Sequence, residues 1–288
     1  MRTRSLRYGA AAAVASFALL TSACSSDDAT TDTGSTDSTD EATTDTSAEG
    51  GGSVDLVAED QLTVCSDIPY APFEMEAEEG DGFDGYDGFD IELLGAIAAD
   101  QGLTLSVKVV PFDAILGALP AGDCDLVGSA LSITPEREEQ VLFSDPYFDS
   151  EQSLMVLTEN EATYPDLDSL TGETIGVQSD TTGADYAEEN KPEGATIKDF
   201  PGGEDLFAAL VSGDIKGALQ DFPVNAYQAS QDDKFTVVAS FGEGESYGFA
   251  AEKDNTALID DVNASLENLK SDGTYDEIYA KYFGSDEG

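Results

Sequence analysis

The chain's arginines are few, and one stands apart. Beyond Arg2, Arg4 and Arg7 at the start, Arg137 is the only guanidinium in a chain whose other cations are eight lysines. A guanidinium is a planar fork that meets a carboxylate with two parallel hydrogen bonds. Arg137 follows Ser132-Ile133-Thr134, whose hydroxyls can donate to the same anion. The competing reading is a surface ion pair with Glu136, Glu138 or Glu139, although exposed pairs add little stability. Asp221 offers the opposite charge. It follows Gly217-Ala218-Leu219, at the carboxyl end of a predicted strand, where a carboxylate can pair with an ammonium. A helix N-cap ahead of Pro223 is the alternative for Asp221. Thr181 and Thr182 stand between a strand ending at Val177 and a helix, where hydroxyls and backbone N–H groups cradle anions.

Other chemistries are excluded or weakened. The chain has no histidine and no tryptophan. Ser-His-Asp and Cys-His nucleophiles are therefore absent, as are most zinc sites. No cofactor or metal is expected. Sixty acidic residues against twelve basic ones give a formal charge of -48, which repels nucleic acid. Solubility or life in high salt explains such a surface, and so does attraction of a cationic ligand. Asp81, Asp84, Asp87 and Asp90 are spaced by three, unlike the alternating ligands of a calcium loop, and read as a surface hairpin.

The elements that must position these residues alternate. Strands are predicted at 62–65, 105–109, 125–130, 174–177, 217–219, 235–239 and 248–251. Helices are predicted at 91–101, 114–119, 206–212, 225–231, 256–271 and 276–282, the first stopped by Gly102. This alternation implies open parallel sheets covered by helices, with ligands at the strands' carboxyl ends. It comes in two batches, so the expected domains are lobe 1 (54–148 plus 247–288) and lobe 2 (153–240). Two hinge crossings, 149–152 and 241–246, would join them, the second rich in Gly and Glu.

The first residues form an address. Arg2, Arg4 and Arg7 precede a short apolar stretch, Ala10 to Leu20, too short to span a membrane. It closes on Leu20-Thr21-Ser22-Ala23-Cys24, which resembles the bacterial lipoprotein cleavage box with Cys24 as the lipidated residue. A plain signal peptide over 1–23 is the alternative. From Ser25 to Ser53 the chain carries eight acids, no basic residue and almost nothing apolar, so residues 24–53 are expected as a disordered tether. Cys65 and Cys124 remain for the body. In an oxidising compartment an even pair usually bridges. Closure of a loop of about 60 residues would stabilise the fold by ~4 kcal/mol. Two buried free thiols are the other possibility.

Blocks along the body carry a resemblance. They are Ser66-Asp67-Ile68-Pro69-Tyr70-Ala71-Pro72-Phe73-Glu74, Gly88-Phe89-Asp90-Ile91-Glu92-Leu93 and Gly122-Asp123-Cys124-Asp125. Ser132-Ile133-Thr134-Pro135-Glu136-Arg137 and Phe143-Ser144-Asp145-Pro146-Tyr147 follow, then Ile175-Gly176-Val177-Gln178 with Thr181-Thr182-Gly183. Asp272-Gly273-Thr274-Tyr275 and Lys281-Tyr282-Phe283-Gly284 complete the series. In order and spacing, Gln61 to Gly284 resembles the polar-amino-acid solute-binding proteins that serve ABC importers.

The resemblance implies an α/β, two-lobed periplasmic-binding-protein-like fold (type II), each lobe an open sheet flanked by helices. It implies a monomer outside the cell membrane, anchored through Cys24, that delivers a free amino acid to an ABC permease. Arg137, with Ser132, would grip the ligand α-carboxylate, and Asp221 the α-ammonium. Asp67, Tyr70, Phe73 and Phe112 would line the side-chain pocket, with ordinary core packing as the alternative for the aromatics; Ala130 is a further ligand-binding candidate, and Thr181 and Thr182 form the anion cradle. Most members of the family it resembles have glycine just before that threonine pair, where this chain has Asp180. Asp67 and the general acidity favour a cationic or amide side chain. The rivals are an amino-acid-sensing ectodomain, a carboxylate-dependent lyase or dehydratase on the same scaffold, and a binder of a zwitterionic osmolyte such as ectoine. The missing histidine argues against an enzyme.

Overall fold

A computed structural model describes residues 54–78 and 81–284, which belong to one compact unit. The expected signal segment, the lipidation site Cys24 and the acidic tether lie outside the described residues. No helix among the described residues is long and apolar enough to cross a membrane.

Two five-stranded sheets build two lobes. In the first the strand order is Thr104–Val109, Gln61–Ser66, Leu126–Val127, Ala250–Glu252 and Val141–Phe143. Gln61–Ser66 runs parallel to both its neighbours. Helices Phe89–Asp100, Thr256–Asp272 and Thr274–Phe283 belong to this lobe and bury Leu93, Ile97, Val262 and Leu266 with Leu62 and Val64 of the sheet. In the second lobe the order is Phe235–Tyr247, Phe148–Leu157, Gly217–Asp221, Thr174–Gln178 and Thr196–Phe200. Its core joins Leu154, Ile175, Val177 and Leu219 on one side with Leu206, Leu210 and Ala218 on the other.

Local signals set several boundaries. Phe89–Asp100 begins two residues before the expected start, and Gly102 takes φ 74° just after it, a left-handed turn that suits glycine. Asn255 caps Thr256–Asp272 by accepting from Leu258 N at 3.3 Å, and Gly273 ends that helix at φ 91°. Residues 112–118 form only a short helix, Phe112–Ile115, followed by a 3-10 turn, Leu116–Ala118, in place of a helix over 114–119.

The sheets are mixed, which corrects the expectation of purely parallel ones. Ala250–Glu252 returns to lobe 1 antiparallel to both neighbours. The two crossings are not loops. Residues 149–152 and 241–246 lie inside the long strands Phe148–Leu157 and Phe235–Tyr247, which pair antiparallel from Phe148↔Tyr247 to Leu157↔Phe235. Register breaks lie between Val237 and Ala239 and between Phe241 and Glu245. Gly242 (φ 104°) and Gly244 (φ 92°) occupy the second break, where an irregular ribbon needs left-handed residues. The acidic stretch contains a small two-stranded sheet, Met75–Glu76 with Tyr86–Asp87, and Asp84 accepts from Val107 N at 2.9 Å.

Cys65, in the strand Gln61–Ser66, is joined to Cys124 with a Cα–Cα separation of 5.7 Å. Asp125 N donates to Thr63 O beside the pair, so the two segments lie side by side in the lobe 1 sheet.

Candidate ligand-binding site

The carboxyl ends of the strands face each other across the lobes, and the polar residues collect there. After Gln61–Ser66 comes Asp67, after Thr104–Val109 comes Phe112, and after Leu126–Val127 come Ser129, Ala130 and Ser132. From lobe 2, Gln178 ends one strand and Asp221 another, while Thr181 and Thr182 open the helix Thr182–Asn190. These residues, with Tyr70 and Arg137, line one cavity of about 20 Å³, the room of roughly a single water. Ligands of α/β sheets sit at strand carboxyl ends because the loops there are free to vary.

Arg137 is set by its own short helix. Thr134 is the N-cap and accepts from Arg137 N at 3.2 Å, with Pro135 in the first turn. The guanidinium then lies over the Phe112 ring, 5.4 Å from its centroid. Nη1 donates to Ser132 O at 2.9 Å and Nη2 to Asp180 O, across the cleft, at 3.2 Å. Among the described residues no carboxylate comes within 4.0 Å of it, so the surface ion pair is not formed. Burial pulls its pKa down, and Asp221 is the foremost of the acids opposing that shift.

Asp221 is the N-cap residue of the helix Phe222–Gln231, yet its side chain accepts no helix N–H. It turns into the cleft, where Tyr70 Oη donates to Oδ2 at 2.7 Å and Gln152 Nε2 to Oδ1 at 2.5 Å. Burial first, then the charge of Glu245, raises its pKa from 3.8 to about 6. Asp67 is also raised to about 6, burial leading, and accepts from Gln178 Nε2 at 2.7 Å. Side chains thus cross from one lobe to the other, among them Tyr70 to Asp221, Gln178 to Asp67, Arg137 to Asp180 and Ser132 to Thr182 at 3.5 Å. Admission of anything larger than water requires these contacts to part.

Asp180 adopts φ 60°, the left-handed conformation that favours glycine. Its carbonyl, not its exposed carboxylate, meets Arg137. Thr181 is spent on capping: Oγ1 accepts from Ala184 N at 3.1 Å and donates to Gln178 O at 2.9 Å.

Phe73 corrects the expected pocket. It is fully buried and packs edge-on against Phe89, Phe148 and Tyr247 in the lobe 1 core. The block that contains it makes a tight turn between Tyr70 and Glu74, so Tyr70 faces the cleft while Phe73 is buried in the core. Sequence reasoning also passed over Ser129, Gln178, Gln152 and Glu245. Gln178 and Ser129 carried a usable signal, since each sits at a strand's carboxyl end. Gln152 and Glu245 lie on the crossing strands and had none.

Beneath Ala130, itself at φ 43°, lie two fully buried acids. Asp90 Oδ2 accepts from Ala130 N at 2.9 Å and from Tyr147 Oη at 2.6 Å. Burial pushes Glu74 well above the ordinary carboxylate range, and Asp90 beside it adds to the shift. Both effects disfavour the charged form of Glu74 beneath the cavity floor. Glu74→Gln, which keeps the volume and removes the charge, is expected to fold with near-native stability. Glu74→Ala should lose about 1–3 kcal/mol through the cavity left beside Asp90. Urea unfolding of both variants checks this; equal losses would contradict it.

The body as a whole is similar to known proteins. Residues 62–285 fit the family model of bacterial extracellular solute-binding proteins, family 3. The chain belongs to that family. It is 31% identical over 223 residues to the ABC transporter arginine-binding protein 1 of Escherichia coli K12, covering 74% of this chain and 87% of that one. With the histidine-binding periplasmic protein of the same organism it shares 28% identity over 237 residues, covering 78% and 88%. An ancestral arginine-binding protein, solved bound to arginine, superposes with a TM-score of 0.71 at 35% identity, covering 78% of this chain and 98% of that one. The family's two-lobed fold is the fold seen here.

Proposed function

We propose that this family 3 protein captures a free polar amino acid, with a basic or amide side chain, for an ABC importer. One observation carries the reading: Arg137 of lobe 1 and Asp221 of lobe 2 line a single cavity from opposite sides. A guanidinium and a carboxylate so opposed suit the two charges of an α-amino acid. The side-chain end is acidic. Asp67 faces it, and beyond Arg137 a wider recess of about 350 Å³ is lined by Asp113, Glu136, Asp180 and Asp185. Such a mouth draws in cations. Relatives named for arginine and histidine support the basic side chain.

Capture is by closure. The ligand enters when the crossing ribbon lets the lobes part, and both its charges leave water as they close. The partners must therefore be well placed, or desolvation wins. The closed form is read by a permease. Anchorage through a lipid on Cys24, action as a monomer and a persistent Cys65–Cys124 bridge complete the proposal. The role is that of a binding protein rather than an enzyme. A thermal-shift screen against the twenty amino acids, followed by calorimetry, tests it. Arginine, lysine, histidine or glutamine should give the largest shifts; a screen in which no amino acid shifts the melting temperature would overturn it.

The raised carboxyls give a pH signature. Asp67, Asp90 and Asp221 are each raised from 3.8 to about 6, burial being the first cause in all three. A carboxyl raised in the folded protein stabilises the fold fully below the unfolded value, and that stabilisation is lost as pH rises through about 6. The ligand-free protein should therefore melt at a higher temperature at pH 5 than at pH 7.5. Affinity runs the opposite way, because an ammonium and a cationic tip need Asp221 and Asp67 charged. Melts with and without L-arginine should show the ligand's increment shrinking as pH falls. An increment that grows toward pH 5 would contradict the assignment.

A further inference from the structure

Glu245 lies on the second crossing strand, at the register break, and its carboxylate is fully engaged. Ser132 Oγ donates to Oε2 at 2.6 Å from lobe 1, and Thr182 Oγ1 donates to the same oxygen at 2.8 Å from lobe 2. Gln152 Nε2 donates to Oε1 at 3.1 Å. The backbone fixes it there: Ile133 N donates to Ser246 O at 2.8 Å, and Ser132 pairs with Tyr247. Gly183 leaves the space, since a Cβ at that position would lie 2.7 Å from Gln152 Oε1.

Ser132 and Thr182 are the hydroxyls that flank Arg137 in the cavity. A hydroxyl has one proton and donates it to one acceptor at a time. We propose that Glu245 is an internal competitor for the ligand's α-carboxylate, a hinge-borne carboxylate that ties Ser132 to Thr182 until the ligand takes both donors. This rests on the amino-acid reading above and adds to it a residue that sets affinity. The same carboxylate bridges both lobes and springs from the ribbon that must flex. Its release by the ligand therefore couples recognition to lobe movement. Glu245 also stands close enough to Asp221 and Arg137 for its charge to bear on both. A charge effect must be separated from competition in the test.

The test uses the full chain and two probes, L-arginine and L-argininamide. The second keeps the ammonium and guanidinium and lacks the carboxylate. By calorimetry, Glu245→Ala should bind L-arginine about tenfold more tightly, the scale of one charge-assisted hydrogen bond regained. Argininamide should gain nothing, because it does not need the hydroxyls. Solution scattering of the ligand-free variant should show a larger radius of gyration than the native chain. Unchanged or weaker arginine binding, an equal gain for both probes, or an unchanged radius would each overturn the competition. If native protein binds no amino acid, the functional reading fails, and the scattering comparison still decides whether Glu245 ties the lobes.

Discussion

Arg137→Ala is expected to weaken binding of the cognate amino acid by at least 100-fold. The variant would leave an α-carboxylate in a cleft whose nearby charges are Asp67, Asp221 and Glu245, with no cation to meet it. Truncating one partner of a buried, hydrogen-bonded charge pair costs 2–5 kcal/mol, and about 2.7 kcal/mol is a factor of 100. The fold should survive, because Arg137 forms no ion pair among the described residues and its two hydrogen bonds go to the backbone oxygens of Ser132 and Asp180. Arg137→Lys should recover part of the charge term and none of the fork, leaving a loss of about tenfold. Calorimetry beside thermal melts checks the set. Retained micromolar binding in the alanine variant would remove the arginine from its assigned role.

Asp221→Asn should separate binding from stability. The carboxylate is buried, raised to about 6 and crowded by Glu245, so its charged form at pH 7.5 weakens the ligand-free fold. The neutral amide lifts that penalty, and the melting temperature without ligand should rise. The same change removes the partner of the ammonium, and affinity should fall by about 100-fold, the scale of a lost charge pair. Tyr70 and Gln152 both donate to Asp221, so the amide must turn its single oxygen toward one of them. That conflict trims the gain without reversing it. A variant that loses both stability and affinity would mark Asp221 as a structural residue instead.

Much of this site was legible because strand ends are legible. Arg137, Ser132, Thr182 and Asp221 each follow a recognisable strand or cap a helix, and loops at strand carboxyl ends converge by the geometry of α/β sheets. Phe73 was misplaced because its neighbour Tyr70 is at the cleft and one motif covers both. Only the packing of Phe89, Phe148 and Tyr247 shows which ring turns inward. Glu245 was invisible for a different reason. One acid among sixty carries no local signal, and its position follows from a register break in a ribbon whose two strands are some ninety residues apart in sequence. The antiparallel strands were missed on the same ground: alternation of strands and helices predicts layers, while direction depends on where the chain returns.

A crystal structure of the full chain grown with L-arginine would test the central claim most directly. The account predicts the α-carboxylate on the Arg137 guanidinium with the Ser132 and Thr182 hydroxyls, the α-ammonium on Asp221, and Glu245 turned away from both hydroxyls. A ligand bound with its carboxylate remote from Arg137, or seated outside the space between the lobes, would contradict it.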